Sequence, residues 1–165
     1  MTSTPAGSHP VATPLIAAGA LFLDNQGRIL LLRPTYKPYW DIPGGYAEPG
    51  ESPRAACARE ICEELGIQAQ VGRLLSVDWA PHPDEGDKML FIFDAGQLTA
   101  EQLAQITFQD GEIAEYAFVE PEHLDQFTIP RLTRRLRATI RALTDHQPAY
   151  LEDGIPQPQA PALDL

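Results

Sequence analysis

At 165 residues with 44% hydrophobic content, the chain suits one globular domain with its own core. Its net charge of -11 argues against non-specific attraction to nucleic acid, which rests on clustered Lys and Arg. No apolar run approaches the roughly 20 residues needed to cross a bilayer, and the start lacks the charged opening and long apolar core of a signal peptide, so a cytoplasmic protein is the expectation.

Residues 1–13 are Ser/Thr/Pro-rich and read as a flexible N-terminal tail. Leu15 to Leu23 and Arg28 to Arg33 predict two strands joined through the turn residues Asp24-Asn25-Gln26-Gly27. The second run, with Ile29, Leu30, Leu31 and Leu32, is too continuously apolar to have a wet face. A proline-bearing loop then delivers Trp40-Asp41-Ile42-Pro43-Gly44-Gly45, whose two glycines allow close approach of the main chain to a ligand.

Ser52 followed by Pro53 predicts a helix start, and Gly66 its end. Projected at about 100° per residue, Ala55, Ala58, Ile61, Cys62 and Leu65 share a packing arc, while Glu60, Glu63 and Glu64 share another. Carboxylates at i, i+3 and i+4 repel by roughly 0.2–0.5 kcal/mol per pair on an exposed helix, so this face calls for a compensating cation. A hard divalent metal with oxygen ligands would supply it. Cys57 and Cys62, the two cysteines, are expected as reduced thiols, because five helical residues rise about 7.5 Å and exceed comfortable disulfide reach.

Ile67 to Trp79, with Val71, Leu74, Leu75 and Val77, predicts an extended segment and Lys88 to Ala95 a buried strand, around an acidic loop, Ala80 to Asp87, in which His82 is a candidate contact to substrate. Thr99 to Gln105 suits a short helix, and Phe108 to Val119 brings in Glu112 and Glu115. Glu120-Pro121 opens a short helix to Phe127, and Leu132, Leu136, Ile140 and Leu143 mark a final helix. Its arginines, Arg131, Arg134, Arg135, Arg137 and Arg141, are expected as a solvated face, with phosphate or partner contact as the second reading. The domain is thus set at 14–146, and 147–165 reads as a Pro-rich C-terminal tail, mobile unless it docks.

Gly45, Glu51, Arg59, Glu60, Ile61, Glu63, Glu64, Gly66 and Ile67 match, without a departure, the signature that the segment resembles: the Nudix box of the Nudix hydrolase family, MutT-like in kind. A Trp-x-x-Pro-Gly-Gly like that of Trp40 to Gly45 precedes the box in the family. The resemblance implies an α/β fold, a Nudix-type α/β/α sandwich with a mixed β-sheet. It implies a pyrophosphohydrolase that cleaves a diphosphate linkage in a nucleoside diphosphate joined to another group, of NTP, ADP-ribose or nucleotide-sugar type. Mg²⁺ or Mn²⁺ would be held by Glu60, Glu63, Glu64 and the Gly45 carbonyl. Glu60, Glu63 or Glu112 would take the proton, with Glu112 ahead of Glu115, and Arg59 would fix a carboxylate with Glu51 as its partner. Tyr39, Trp40 and Trp79, with Tyr36, are candidates to stack on a base. Pro81 and Pro83 hint at ADP-ribose. Two alternatives stay open: a non-catalytic nucleotide-sensing module, and a prenyl diphosphate isomerase, which would need a reactive cysteine. The family also allows a homodimer.

Overall fold

The computed structural model describes residues 10–109 and 111–158. Residues 1–9 of the expected N-terminal tail, and the end of the expected C-terminal tail, lie outside the described residues. In chain order the elements are β1 (Leu15–Phe22), β2 (Ile29–Pro34), β3 (Gly44–Tyr46), α1 (Pro53–Leu65), β4 (Leu74–Trp79), β5 (Lys88–Gly96), α2 (Ala100–Gln105), β6 (Ile113–Val119), a 3-10 turn (Pro121–Gln126), α3 (Pro130–Asp145), β7 (Ala149–Glu152) and β8 (Ile155–Pro156).

The strands make a mixed six-stranded sheet in the order β3-β1-β5-β4-β7-β8 and a two-stranded sheet, β2-β6. β1 runs parallel to β5 and antiparallel to β3, placing Ala18 opposite Gly45 and Gly19 opposite Gly44. The expected turn after β1 is present: Asp24 accepts from the Arg28 backbone at 2.9 Å and pairs with its guanidinium at 2.7 Å. β1 and β2 do not form a hairpin, however, because β2 pairs with β6 across the second sheet.

Continuous apolar runs are used on both faces, because side chains alternate along a strand. Ala18, Ala20 and Phe22 of β1 join Leu30 and Leu32 of β2 in one core, with Ile61 and Leu65 of α1. Leu21 of β1 joins Ile29 and Leu31 of β2 in another, with Leu132 and Leu136 of α3. The helices thus lie on opposite sides of strands that have no wet face. This is the α/β sandwich of the sequence reading.

α1 begins where its capping residues predict: the Ser52 side chain accepts from Ala55 N–H at 3.2 Å, and Gly66 N–H returns to Cys62 O at 2.9 Å. Its packing face is rotated from the one expected. Ala56, Cys57, Ile61 and Leu65 are buried, whereas Ala55, Ala58 and Cys62 face outward. The rotation brings Glu60 and Glu64 under β3, a constraint that helical projection alone does not contain.

The chain beyond residue 146 also departs from the expected tail. β7 adds to β4 in parallel, from Ser76 opposite Ala149 to Trp79 opposite Glu152, and β8 folds back on β7. The sheet therefore extends past the domain limit drawn at 146. Asp153 N–H donates to Trp79 O at 2.9 Å, which ties the intervening turn to the sheet.

The rotation of α1 has a consequence for the two thiols. Burial pushes the Cys57 thiol up to about 12, while Cys62 is exposed. An aromatic disulfide reagent should titrate one thiol in the native protein and two in denaturant. Cys62→Ser should remove the native signal and shift stability by no more than about 0.5 kcal/mol, as exposed substitutions do.

Candidate active site

Two cavities meet across β3. The smaller, of about 110 Å³, is lined by Glu60, Glu63, Glu64, Phe108, Gln109, Glu112 and Ile113. Helical spacing puts three of those acids on one side of α1, and Glu112 reaches them from just before β6. Glu115, the second choice for that position, instead lies on β6 and pairs with Arg33 at 2.6 Å.

β3 is held against this acid row by contacts that leave no room for a side chain. Gly44 has φ 150° and packs on the backbone of Ala18 and Gly19, and its N–H donates to Glu64 Oε2 at 2.8 Å. A Cβ on Gly45 would fall against the Glu60 carboxylate. Gly45 itself lines the larger cavity, so the glycine pair is the partition between the two spaces.

Arg59 ties helix and strand together. It bonds both oxygens of Glu51 at 3.1 Å, Glu60 at 2.9 Å, Glu63 at 2.7 Å and the Tyr46 carbonyl at 2.9 Å. Its hydrogen bonds, first to Glu51, hold the guanidinium even more firmly protonated than usual. Glu51, expected as its partner, has its carboxyl held low chiefly by the same bonds. With its donors committed inside the cluster, Arg59 orients carboxylates.

That single guanidinium does not balance four acids. Burial raises the Glu64 carboxyl to about 8, with further upward pressure from Glu60, Asp41 and Glu112, and burial likewise raises Glu60. Among the described residues no three acid, histidine or cysteine side chains stand as a preformed ligand set, and Arg59 and Gly44 hold an oxygen each of Glu60, Glu63 and Glu64. An all-oxygen site with excess negative charge and raised carboxyls fits a hard divalent cation, which replaces protons as the compensating charge.

The larger cavity, of about 510 Å³, is built from β1, β3, β5, the loop before β3 and the start of α3. Tyr36, Tyr39, Trp40 and Tyr46 contribute rings to its lining. Trp40 is braced edge-on against Phe127 with centroids 5.5 Å apart, and its N–H group in the backbone donates to Phe127 O at 2.9 Å. Lys37 sits 5.7 Å from the Tyr36 and Tyr39 ring centres and 2.8 Å from Asp41. On the loop between β4 and β5, His82 also lines the space, and Glu85 accepts from Tyr46 and Lys88, each at 2.6 Å. The Lys88 bond above all holds the Glu85 carboxyl down to about 2.

Trp79 is not in this lining, contrary to the expectation of a base-stacking role. It occupies the last position of β4 between Met89 and Glu152, and alternation turns it away from the face that Asp78 presents to α3. The solvated arginine face also needs correction. Arg135 is 7% exposed, lines the large cavity, and bonds Asp78 at 2.6 Å. Sequence reasoning missed Asp78, Lys88 and the Gly44 N–H. Nothing marked Asp78 within an ordinary strand, and a backbone donor leaves no signature beyond its glycine.

Comparison with known proteins places the chain in a family. The family model for the NUDIX domain matches residues 13–143. A Bacillus subtilis (strain 168) protein named "Putative 8-oxo-dGTP diphosphatase" is 32% identical over 139 residues, covering 84% of this chain and 88% of that protein. The crystal structure of a MutT protein from Methanosarcina mazei Go1 superposes with a TM-score of 0.66 at 28% identity, covering 83% of this chain and 99% of that one. The crystal structure of a UDP-X diphosphatase gives 0.68 at 26% identity, covering 87% and 69%. The chain belongs to the NUDIX domain family and is a MutT-like Nudix hydrolase, an enzyme of phosphoric anhydride bonds.

Proposed function

We propose that the protein is a Mg²⁺- or Mn²⁺-dependent pyrophosphohydrolase that cleaves the diphosphate linkage of a nucleotide, a nucleoside diphosphate joined to another group. The observation that carries this reading is the convergence of Glu60, Glu63, Glu64 and Glu112 on one cavity, one glycine strand away from a larger ring-lined one. The first suits a cation and the reacting phosphates, and the second has the size and lining for the nucleoside. The names of the similar proteins, 8-oxo-dGTP diphosphatase and UDP-X diphosphatase, support a nucleotide substrate.

Glu60, Glu63 and Glu64 would hold the cation, with the Gly45 carbonyl beside them. When bound, the metal offsets charge on phosphate oxygens and makes water a stronger acid. The chain's own part is to place and accept. Arg59 keeps Glu60 and Glu63 turned to the cavity, and Glu51 keeps Arg59 in place. Glu60, Glu63 or Glu112 takes the proton of the attacking water. Tyr39 and Trp40 stack on the base from the wall of the large cavity. A prenyl diphosphate isomerase has less support, because neither Cys57 nor Cys62 lines either cavity and burial makes the Cys57 thiol a poor nucleophile.

Phosphate or nucleoside monophosphate release from a nucleotide panel, with and without Mg²⁺, tests the reaction. Glu63→Gln should lower kcat by at least about two orders of magnitude, since metal stabilisation of charge is worth several kcal/mol. Turnover within a few-fold of wild type would remove Glu63 from the site.

Glu64 supplies a second test, in the metal-free protein. Its carboxyl is raised to about 8 in the fold, from 4.5 as the ordinary value, so between those limits the folded state keeps a proton that the unfolded state has lost. Stability should therefore fall as pH rises through that window. Glu64→Gln should flatten the slope of urea midpoint against pH, and Mg²⁺ should restore stability at the alkaline end. A wild-type slope shared by the variant would show that Glu64 is not the responsible group.

A further inference from the structure

Among the described residues, Arg135 is the one cavity-lining guanidinium that is nearly buried and still has unclaimed donors. Its side chain is 9% exposed, and among the described residues its hydrogen bonding is confined to Nε, which donates to Asp78 Oδ2 at 2.6 Å. Among the described residues no hydrogen bond claims either Nη, and no buried side-chain nitrogen or oxygen lacks a partner. Neither Nη is therefore sealed in the core, and the residue lines the large cavity.

The tether is built with care for that one group. Asp78 is fully buried, and its other oxygen, Oδ1, accepts from Gly154 N–H at 3.1 Å. Gly154 lies in the turn between β7 and β8 with φ 76°, and a Cβ there would stand 2.7 Å from the Arg131 carbonyl and 3.1 Å from Arg135 N. The neighbouring Asp153 pairs with Arg134 at 2.8 Å. The hairpin beyond residue 146 thus presses on the first turns of α3 and sets the carboxylate that orients Arg135.

We propose that Arg135 is a specificity-determining residue that donates to a keto oxygen on the nucleobase, with Asp78 as its positioning residue. The proposal rests on the reading of the substrate as a nucleotide. Charge favours the base over a phosphate: Asp78 neutralises Arg135 within the protein, so the pair attracts no anion from a distance, yet keeps directional donors for a neutral acceptor. Placement agrees, because the acids and their cation site lie across the glycine partition, while Arg135 shares its cavity with Tyr39 and Trp40. Adenine offers an amino group where hypoxanthine and guanine offer a carbonyl, and an amino group meeting these donors leaves both unpaired.

Inosine and adenosine monophosphates differ at that base position, and calorimetric titration with each needs neither metal nor turnover. The wild type should bind inosine and guanosine monophosphates on the order of tenfold more tightly than adenosine monophosphate. Arg135→Lys keeps a charge against Asp78 but has no second nitrogen for the cavity, so its melting temperature should hold while the preference falls towards one. Asp78→Asn should reduce the preference as well, and with triphosphates both variants should raise KM for the keto substrates more than they lower kcat. Equal wild-type binding of inosine and adenosine monophosphates, an unchanged ratio in Arg135→Lys, or equal weakening of both ligands would each overturn the assignment. If no nucleotide is hydrolysed while the binding preference is present, the proposed reaction fails and the base-reading role stands.

Discussion

The structure depends on the contact between two glycines of β3 and two glutamates of α1. Gly44 and Gly45 let main chain approach where any side chain would collide, and the acids fill the space so released. The approach is unfavourable electrostatically, because it buries carboxylates beside one another. Arg59 offsets part of that repulsion and binds the Tyr46 carbonyl at the end of the same strand, so one guanidinium sets both the charge and the spacing of helix and strand. The remaining imbalance is the charge that the proposed cation would offset.

From this contact the rest of the architecture follows. A helix pressed on β3 and β1 must bury its apolar side in the core formed with β2, which requires β2 to be apolar on both faces because α3 covers the reverse. Strands with no wet face leave few positions for polar chemistry within the sheet. The polar groups lining the two cavities are accordingly gathered about its β3 end, on the loop before the glycines, on helix faces and on the loop between β4 and β5.

Legibility in the sequence follows the range of each interaction. The ends of α1, the acid row and the Glu51–Arg59 spacing are set within a few turns of chain, and they could be read directly. The burial of Cys57 in place of Cys62 could not, since the helix is turned by what lies on β3 and not by its own periodicity. Trp79 misled because an aromatic at a strand end carries no mark of which face it takes; that depends on the register of β4 with β5. Glu112 and Glu115 differ by three residues, and their separation into cavity and surface hangs on where β6 starts to pair.

The Asp78–Arg135 pair shows why long-range polar contacts are both hidden and informative. The two residues are 57 apart in sequence, and neither has a local partner that would announce the other. Burying an ion pair gains little over apolar packing of the same volume, because desolvation opposes the attraction, so stability alone is a weak reason for its presence. A buried pair that also leaves donors facing a cavity has a reason that packing cannot supply. The proline-rich stretch after α3 is then part of the same device: its turn delivers the N–H that completes Asp78, from residues that composition alone would assign to a tail.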